Sequence, residues 1–386
     1  METTEENKAA FPDPYPDFAW MRESMPVARL HTATGPVWLV TSFRHCRALL
    51  TDPRLSNDAH VHGTSAKTYG GMLDSDPPRH DRLRRTVTAA FTPRAVENMR
   101  GLVTAICEEA VDSFADKGSC ELLRDYATPI PIGVIMATLG VPDAERLDNQ
   151  HMVRLFTLAS EQAGNPAAVA EADGFVERIV AYKRANPGDD VITTLLAALD
   201  RGELVDPREV VGIVSLLMGA GHTTTMSLIT SACLRLLQHP EVRALSLGEP
   251  AQRRAVVEEA LRYDGTVQAS VDRFAVEEIE IAGVTIARGD RVVLSLAAAN
   301  RDPERFAEPD LFDPDPGKPS NIGFGHGLHV CLGAHLARLE GEIALEVLFR
   351  RLPTLRLDIP AEDVLWDLEG ELRMPRAVPV RFDPVA

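Results

Sequence analysis

The sequence predicts a mostly α-helical fold with a small β part. Three observations carry that reading. Residues 81–262 hold apolar side chains at helical spacing, with stops at Pro93, Gly118, Pro187 and Pro240. Residues 267–296 change to strand-like alternation through Val276, Ile279, Ile281, Val284 and Ile286, then Val292-Val293-Leu294. Pro and Gly punctuate the whole chain evenly, without repeats or a low-complexity linker, as expected of a single domain over residues 1–386.

The elements follow in order. Val27–His31 and Val37–Thr41 are strand-like runs separated by Thr-Ala-Thr-Gly, which predicts a hairpin. The helical region ends in the most apolar helix of the chain, about Asp206 to Gln238. A long helix runs from Ala334 to Arg350, and short strands close the chain around Val378–Phe382.

At 386 residues and 45% hydrophobic content the chain can bury a sizeable core. A net charge of −17 argues against nucleic acid as a partner, because phosphate binding needs a basic surface. Residues 1–20 are acidic and proline-rich and hold neither an apolar signal core nor a membrane anchor. The longest apolar run, Val210–Met218, is too short to span a membrane and reads as a buried helix. The expectation is a soluble cytoplasmic protein with no membrane partner. Five cysteines at scattered spacing do not suggest a disulfide framework; Cys46, Cys107 and Cys233 fit small buried positions in helices.

Phe324-Gly325-His326-Gly327-Leu328-His329-Val330-Cys331-Leu332-Gly333 carries the most chemistry. It puts one cysteine in a glycine-rich loop just before a helix. Backbone N–H groups and the positive helix end favour a thiolate there, which suits a fixed metal ligand. Gly325, Gly327 and Gly333 remove side chains where a flat macrocycle could lie close. One alternative is a glycine-rich turn with an incidental cysteine. Another is a zinc site from His326, His329, Cys331 and His335, although zinc ligands usually divide between separate knuckles.

Three further stretches stand out. Met218-Gly219-Ala220-Gly221-His222-Thr223-Thr224-Thr225 sets a weak, polar spot within the most hydrophobic helix, since an interior Gly costs about 1 kcal/mol relative to Ala. A packing notch for a crossing helix is the bland alternative. Glu259 and Arg262 lie three apart and can pair on one helix face. In Asp76–Arg85, His80 and Arg84 share a face that suits two donors reaching one carboxylate. Arg82 and Arg85 point away from that face, either as a solvated charge run or as a basic patch for an acidic protein.

Taken in order from about Leu39 to the C-terminus, these motifs resemble the cytochrome P-450 family of haem-thiolate monooxygenases. The resemblance implies one mostly helical domain holding haem b between the helix of Thr224 and the loop of Cys331. Cys331 would be the axial ligand, with Phe324, Gly325 and Gly333 beside the cofactor. His80, Arg84, Arg273 (in Val271-Asp272-Arg273-Phe274) and His329 would hold the propionates. Thr224 would hydrogen-bond dioxygen and help deliver protons, with Ala220 and Gly221 opening room for it. The chain departs from the family at Thr223, where Asp or Glu is usual; a hydroxyl relays a proton but does not supply one at neutral pH. Glu259 and Arg262 match the family's Glu-x-x-Arg pair. Leu311 and Pro316 occupy the positions where its third, basic partner is sought.

The implied function is dioxygen-dependent oxidation of a small organic molecule, by hydroxylation or epoxidation, with a secondary-metabolite intermediate as the expected class. No flavin or iron–sulfur domain fits the length, so the two electrons should come from a separate ferredoxin and ferredoxin reductase. Family analogy places substrate selection in Ser56–Met72, Leu155–Tyr182, Val267–Ser270 and the turn near Leu372, none of which holds a charged cluster. Two alternatives stay open. The same haem site could run oxidative coupling, desaturation or peroxide-driven chemistry. Or the protein could be a non-catalytic haem-binding sensor or carrier, against which the retention of Thr224 argues.

Overall fold

Several helices start where the sequence can satisfy or dispense with free backbone N–H groups. The computed structural model describes residues 13–32, 35–58, 71–161, 166–315, 317–369 and 371–385. The chain begins with α1 (Tyr15–Ser24), β1 (Val27–Thr32), β2 (Gly35–Val40), α2 (Phe43–Leu49), β3 (Leu55–Ser56) and α3 (Arg79–Thr88). It continues through α4 (Pro93–Glu97), α5 (Arg100–Asp112), β4 (Ser119–Glu121), α6 (Pro129–Leu139), α7 (Asn149–Glu161), α8 (Pro166–Ala185) and α9 (Val191–Asp200). The middle holds α10 (Pro207–Gln238), α11 (Pro240–Gly248) and α12 (Pro250–Tyr263), followed by β5 (Arg273–Ala275), β6 (Ile279–Ile281), β7 (Val284–Ile286) and β8 (Arg291–Leu294). It closes with α13 (Leu296–Asn300), α14 (Ala334–Arg351), β9 (Arg356–Leu357), β10 (Trp366–Glu369), β11 (Leu372–Pro375) and β12 (Pro379–Arg381).

Proline opens α4, α6, α10, α11 and α12, where its missing N–H costs nothing. Asp206 caps α10 by accepting from the Arg208 N–H. The α10 helix then runs unbroken for 32 residues, because both its ends are set and nearly every side is covered. α6, α7, α8, α9, α12, α14 and β11 all pack on it. It is long and apolar enough to cross a membrane, but 72% of its most apolar window is buried inside the protein.

The main sheet has the strand order β1-β2-β8-β5-β3. The predicted hairpin pairs Val27 with Val40 through Thr32 with Gly35; Ala33 and Thr34 lie outside the described residues. Thr41, expected in the second strand, lies one residue past its end, and its N–H donates to the Pro26 carbonyl at 3.0 Å in continuation of the same register. β2 and β8 run parallel, whereas β8 with β5 and β5 with β3 run antiparallel. The alternation over 267–296 resolves into three very short strands and the four-residue β8. Val276 falls outside them, its N–H bonded to the Arg54 carbonyl at 2.8 Å. Cys46, Cys107 and Cys233 are fully buried, as their apolar patterns predict.

Candidate functional site

Three segments bring a set of cationic and imidazole groups together. His80 and Arg84 come from one face of α3, Arg273 from the first position of β5, and His329 from the loop before α14. The rings of His80 and His329 lie 4.4 Å apart. His80 and Arg273 are almost fully buried. His329 is pushed down to about 3, first by burial and then by His80, Arg273 and Arg84 around it. It is therefore neutral at pH 7 and has one N–H to give. Burial also lowers Arg273, with Asp76 acting in the opposite direction.

Nε2 of His80, Nε2 of His329 and Nε of Arg273 are buried without a hydrogen-bond partner. Buried polar atoms are normally paired, so three orphans in one cluster call for a partner from outside the chain. The cluster's chemistry asks for an anion, and a carboxylate pair suits it. The residues present thus fit the propionate edge of haem.

The cysteine loop abuts this cluster. Arg84 Nη2 donates to the Val330 carbonyl at 2.6 Å. Cys331 N–H donates to the Phe324 carbonyl at 2.9 Å, which closes the loop on itself. Cys331 is exposed at the surface the loop presents. Burial raises its thiol; an N–H from Gly333, Arg84 and Arg338 pull the other way. Those are the groups that would temper a ligating thiolate. Arg338 also sits over the Phe324 ring, 4.5 Å from its centroid.

Backbone conformation and close approach explain part of this loop's glycine content. Gly325 and Gly327 have φ of 74° and 79°, a region that favours glycine. A Cβ on Gly327 would meet Thr51 Cγ2 at 2.7 Å and the Leu50 carbonyl at 3.1 Å, so its smallness lets the loop close on α2. Gly333 lacks such a neighbour; its Cβ would lie 4.0 Å from Cys331 Sγ. Among the described residues no cluster of three or more His, Cys, Asp or Glu side chains could hold a metal, so His326, His329, Cys331 and His335 do not form the zinc alternative.

On α10, Ala220 is exposed and Thr224 half-exposed, one turn apart in a helix otherwise buried nearly all round. They mark the helix's open face. Thr224 Oγ1 donates back to the Ala220 carbonyl at 2.9 Å. Gly221 is turned elsewhere: a Cβ there would lie 3.4 Å from Ile135 of α6, the packing notch of the bland reading. Thr223 is buried.

Glu259 and Arg262 form a buried bidentate pair at 2.7 Å for both bonds. Arg262 also donates to the carbonyls of Asn300 (3.2 Å), Pro309 (2.7 Å) and Leu311 (2.8 Å). The Leu311 side chain is exposed, and Pro316 lies outside the described residues. The nearby cation is Lys318, 3.7 Å from Glu259 and 3.1 Å from Asp313. Sequence reasoning missed Lys318, Asn300 and Asn321. Asn300 accepts from the Ile322 N–H at 2.9 Å, and Asn321 bonds the Glu258 carbonyl at 3.1 Å and side chain at 3.0 Å. Together they hang the cysteine loop from α12; only their closeness to the loop motif hinted at this.

Arg82 differs from both sequence expectations. It is half-buried and held in a bidentate pair with Glu209 of α10. Arg85 is exposed. Of the four stretches expected to select substrate, two come together: Val267 bridges Leu372, and Gln268 N–H donates to the Glu371 carbonyl at 2.8 Å. Ser227 of α10 donates to the Arg373 carbonyl at 2.8 Å, tying that turn to the helix of Thr224. Residues 59–70 and 162–165, within the other two stretches, lie outside the described residues.

A family profile described as Cytochrome P450 matches residues 253–365, which include the Glu259–Arg262 pair and Cys331. The chain is 38% identical over 379 residues to cytochrome P450 monooxygenase PikC of Streptomyces venezuelae, covering 96% of this chain and 91% of that protein. It is 36% identical to 6-deoxyerythronolide B hydroxylase of Saccharopolyspora erythraea, covering 96% of each. Among solved structures, the myxobacterial cytochrome P450 CYP267B1 in complex with myristic acid superposes with a TM-score of 0.89 at 36% identity, covering 96% of both chains.

Proposed function

The chain belongs to the cytochrome P450 family, and from that premise we propose the substrate class, electron donors and residue roles of this monooxygenase. It is an oxidoreductase that binds haem b through a cysteine and hydroxylates or epoxidises a small organic molecule. Cys331 is the cysteine concerned, and the whole of 1–386 is one P450 domain. The substrate is a mid-sized, largely apolar secondary-metabolite intermediate. It is taken from the cytoplasm, and a diffusible ferredoxin with its reductase supplies two electrons.

When bound, haem supplies dioxygen activation through thiolate-ligated iron. The chain's own residues do the rest. Arg84 and Arg273 give charge to the propionates, and His80 and His329 face them with their free Nε2 atoms. Thr224 holds a hydroxyl on the open face of α10, where it can pass a proton by exchanging its bond to the Ala220 carbonyl. Thr223 keeps that region free of a carboxylate, so protons reach Thr224 from water or from the substrate's own hydroxyls. The Val267–Leu372 bridge holds two walls of the substrate space at a fixed separation from α10. One observation carries the reading: three buried, unpartnered nitrogens converge beside the Cys331 loop.

The absorption spectrum of the ferrous protein with carbon monoxide tests it. The strongly red-shifted band of a thiolate complex is expected, and its loss in Cys331→His. A band typical of histidine-ligated haem in the wild type would refute Cys331 as ligand. Product formation with ferredoxin, reductase and dioxygen, compared with peroxide alone, then separates monooxygenation from peroxide-driven chemistry.

A further inference from the structure

Helix α3 has basic side chains on two faces, and only one of them faces the haem-binding cluster. Arg82 leaves from the other. Its Nη1 donates to Glu209 Oε2 at 2.8 Å and its Nη2 to Oε1 at 2.5 Å. Arg82 Nη1 also donates to the Glu203 carbonyl at 3.2 Å, and Glu209 Oε2 accepts from the Val205 N–H at 2.9 Å. Glu209 is 6% exposed and stands in the first turn of α10, the helix that carries Ala220 and Thr224.

We propose that Glu209 is a positioning residue for the haem: through Arg82 it sets the rotation of α3, and so the reach of His80 and Arg84. The inference rests on the reading of those two residues as propionate-holding groups.

The physical case has three parts. α3 is ten residues long and its N-cap, Pro78, makes no side-chain cap bond, so the helix has little of its own to fix it. Leu83 and Val87 bury one stripe in the core, which fixes depth better than rotation. A planar guanidinium on a two-oxygen acceptor fixes rotation, because both bonds must be made at once. Arg82 lies two residues from His80 and two from Arg84, so turning it about the helix axis swings both. The Glu209 carboxyl is held below the usual carboxylate range, mainly by the Arg82 bond, consistent with a charged and occupied pair.

The test is the first-order rate of haem loss from the holoprotein to an excess of a haem-scavenging apoprotein, read beside the urea midpoint of each variant. Glu209→Gln keeps the shape and removes the charge; Arg82→Lys keeps the charge and removes the fork. Each is expected to speed haem loss roughly tenfold, about the loss of one charge-assisted hydrogen bond. The double variant should lose haem no faster than either single one, since both break the same link. Arg84→Ala serves as the comparator and should also speed loss. Wild-type haem loss in Glu209→Gln and Arg82→Lys, with Arg84→Ala fast, overturns the role of Glu209 alone. So does full additivity in the double variant, or a lowered urea midpoint without faster haem loss. Wild-type loss in Arg84→Ala overturns the propionate reading itself.

Discussion

His80 and His329 face each other at 4.4 Å between ring centroids and 58° between ring planes, and each has an Nε2 without a partner. Two imidazoles from segments about 250 residues apart do not converge this way to bond each other. Their Nδ1 atoms cannot explain it either: that of His80 already pairs with Asp81 at 3.0 Å. The two free nitrogens are placed for a shared third party.

Replacing either ring by Phe keeps most of the packing and removes one Nε2 hydrogen-bonding group. A hydrogen bond to a charged group is worth about 1.5–3 kcal/mol. His80→Phe and His329→Phe are therefore expected to speed haem loss by about 10- to 100-fold, measured by transfer to a scavenging apoprotein. Unchanged loss in both would remove them from the propionate site.

Thr223 gives a second handle. A positioned acid contributes about 10²–10⁴-fold in general-acid steps, and this chain has a hydroxyl at the usual place. Thr223→Glu should raise product formed per reductant consumed. It should also cost about 1–3 kcal/mol of stability, because Thr223 is buried and a carboxyl there is only partly satisfied. Coupling is read from product against NAD(P)H used, and stability from the urea midpoint. Lower stability with unchanged coupling would mean that protons already arrive efficiently by another route.

Arg262 concentrates more hydrogen bonds than any single motif suggests. Arg262→Ala leaves a buried Glu259 with only the Asp313 N–H and Lys318, and strips the guanidinium from three carbonyls, one of them on Asn300, which itself holds the cysteine loop through Ile322. Breaking a buried pair from one side costs about 3–5 kcal/mol. The variant should express poorly and show a weakened thiolate–CO band in what folds. A wild-type band with only a lowered melting temperature would confine Arg262 to stability.

What was legible in the sequence was local. His80 with Arg84, Glu259 with Arg262, and the run ending at Gly333 are each defined by spacing within a few residues, and spacing on a helix or in a tight loop is geometry. What was not legible depended on distant partners. Arg82 gives no sign of Glu209, 127 positions away. Gly327 looked like room for a cofactor and proves to be room for Thr51. Lys318 is not at the position where a third partner for Glu259 was sought, yet it approaches that carboxylate from farther along the chain. β3, β4, β9, β10 and β11 are two to four residues long, too short for periodicity to register, and are set by the strands they pair with.

Glu340 supplies a prediction independent of the haem. It lies on α14 fully enclosed, with Oε2 unpartnered, and burial pushes its carboxyl up to about 8. In the unfolded chain a Glu titrates near 4.3. Between those two values the folded protein holds a proton that the unfolded chain has released. Stability therefore falls as pH rises across that window, by up to about 1.4 kcal/mol per pH unit, and levels off above it. Glu340→Gln is neutral at every pH and keeps the shape. Its urea midpoint should match the wild type near pH 4 to 5 and exceed it increasingly toward pH 8. Parallel curves for the two proteins from pH 5 to pH 8.5 would show that Glu340 is ionised in the folded state and has found a partner.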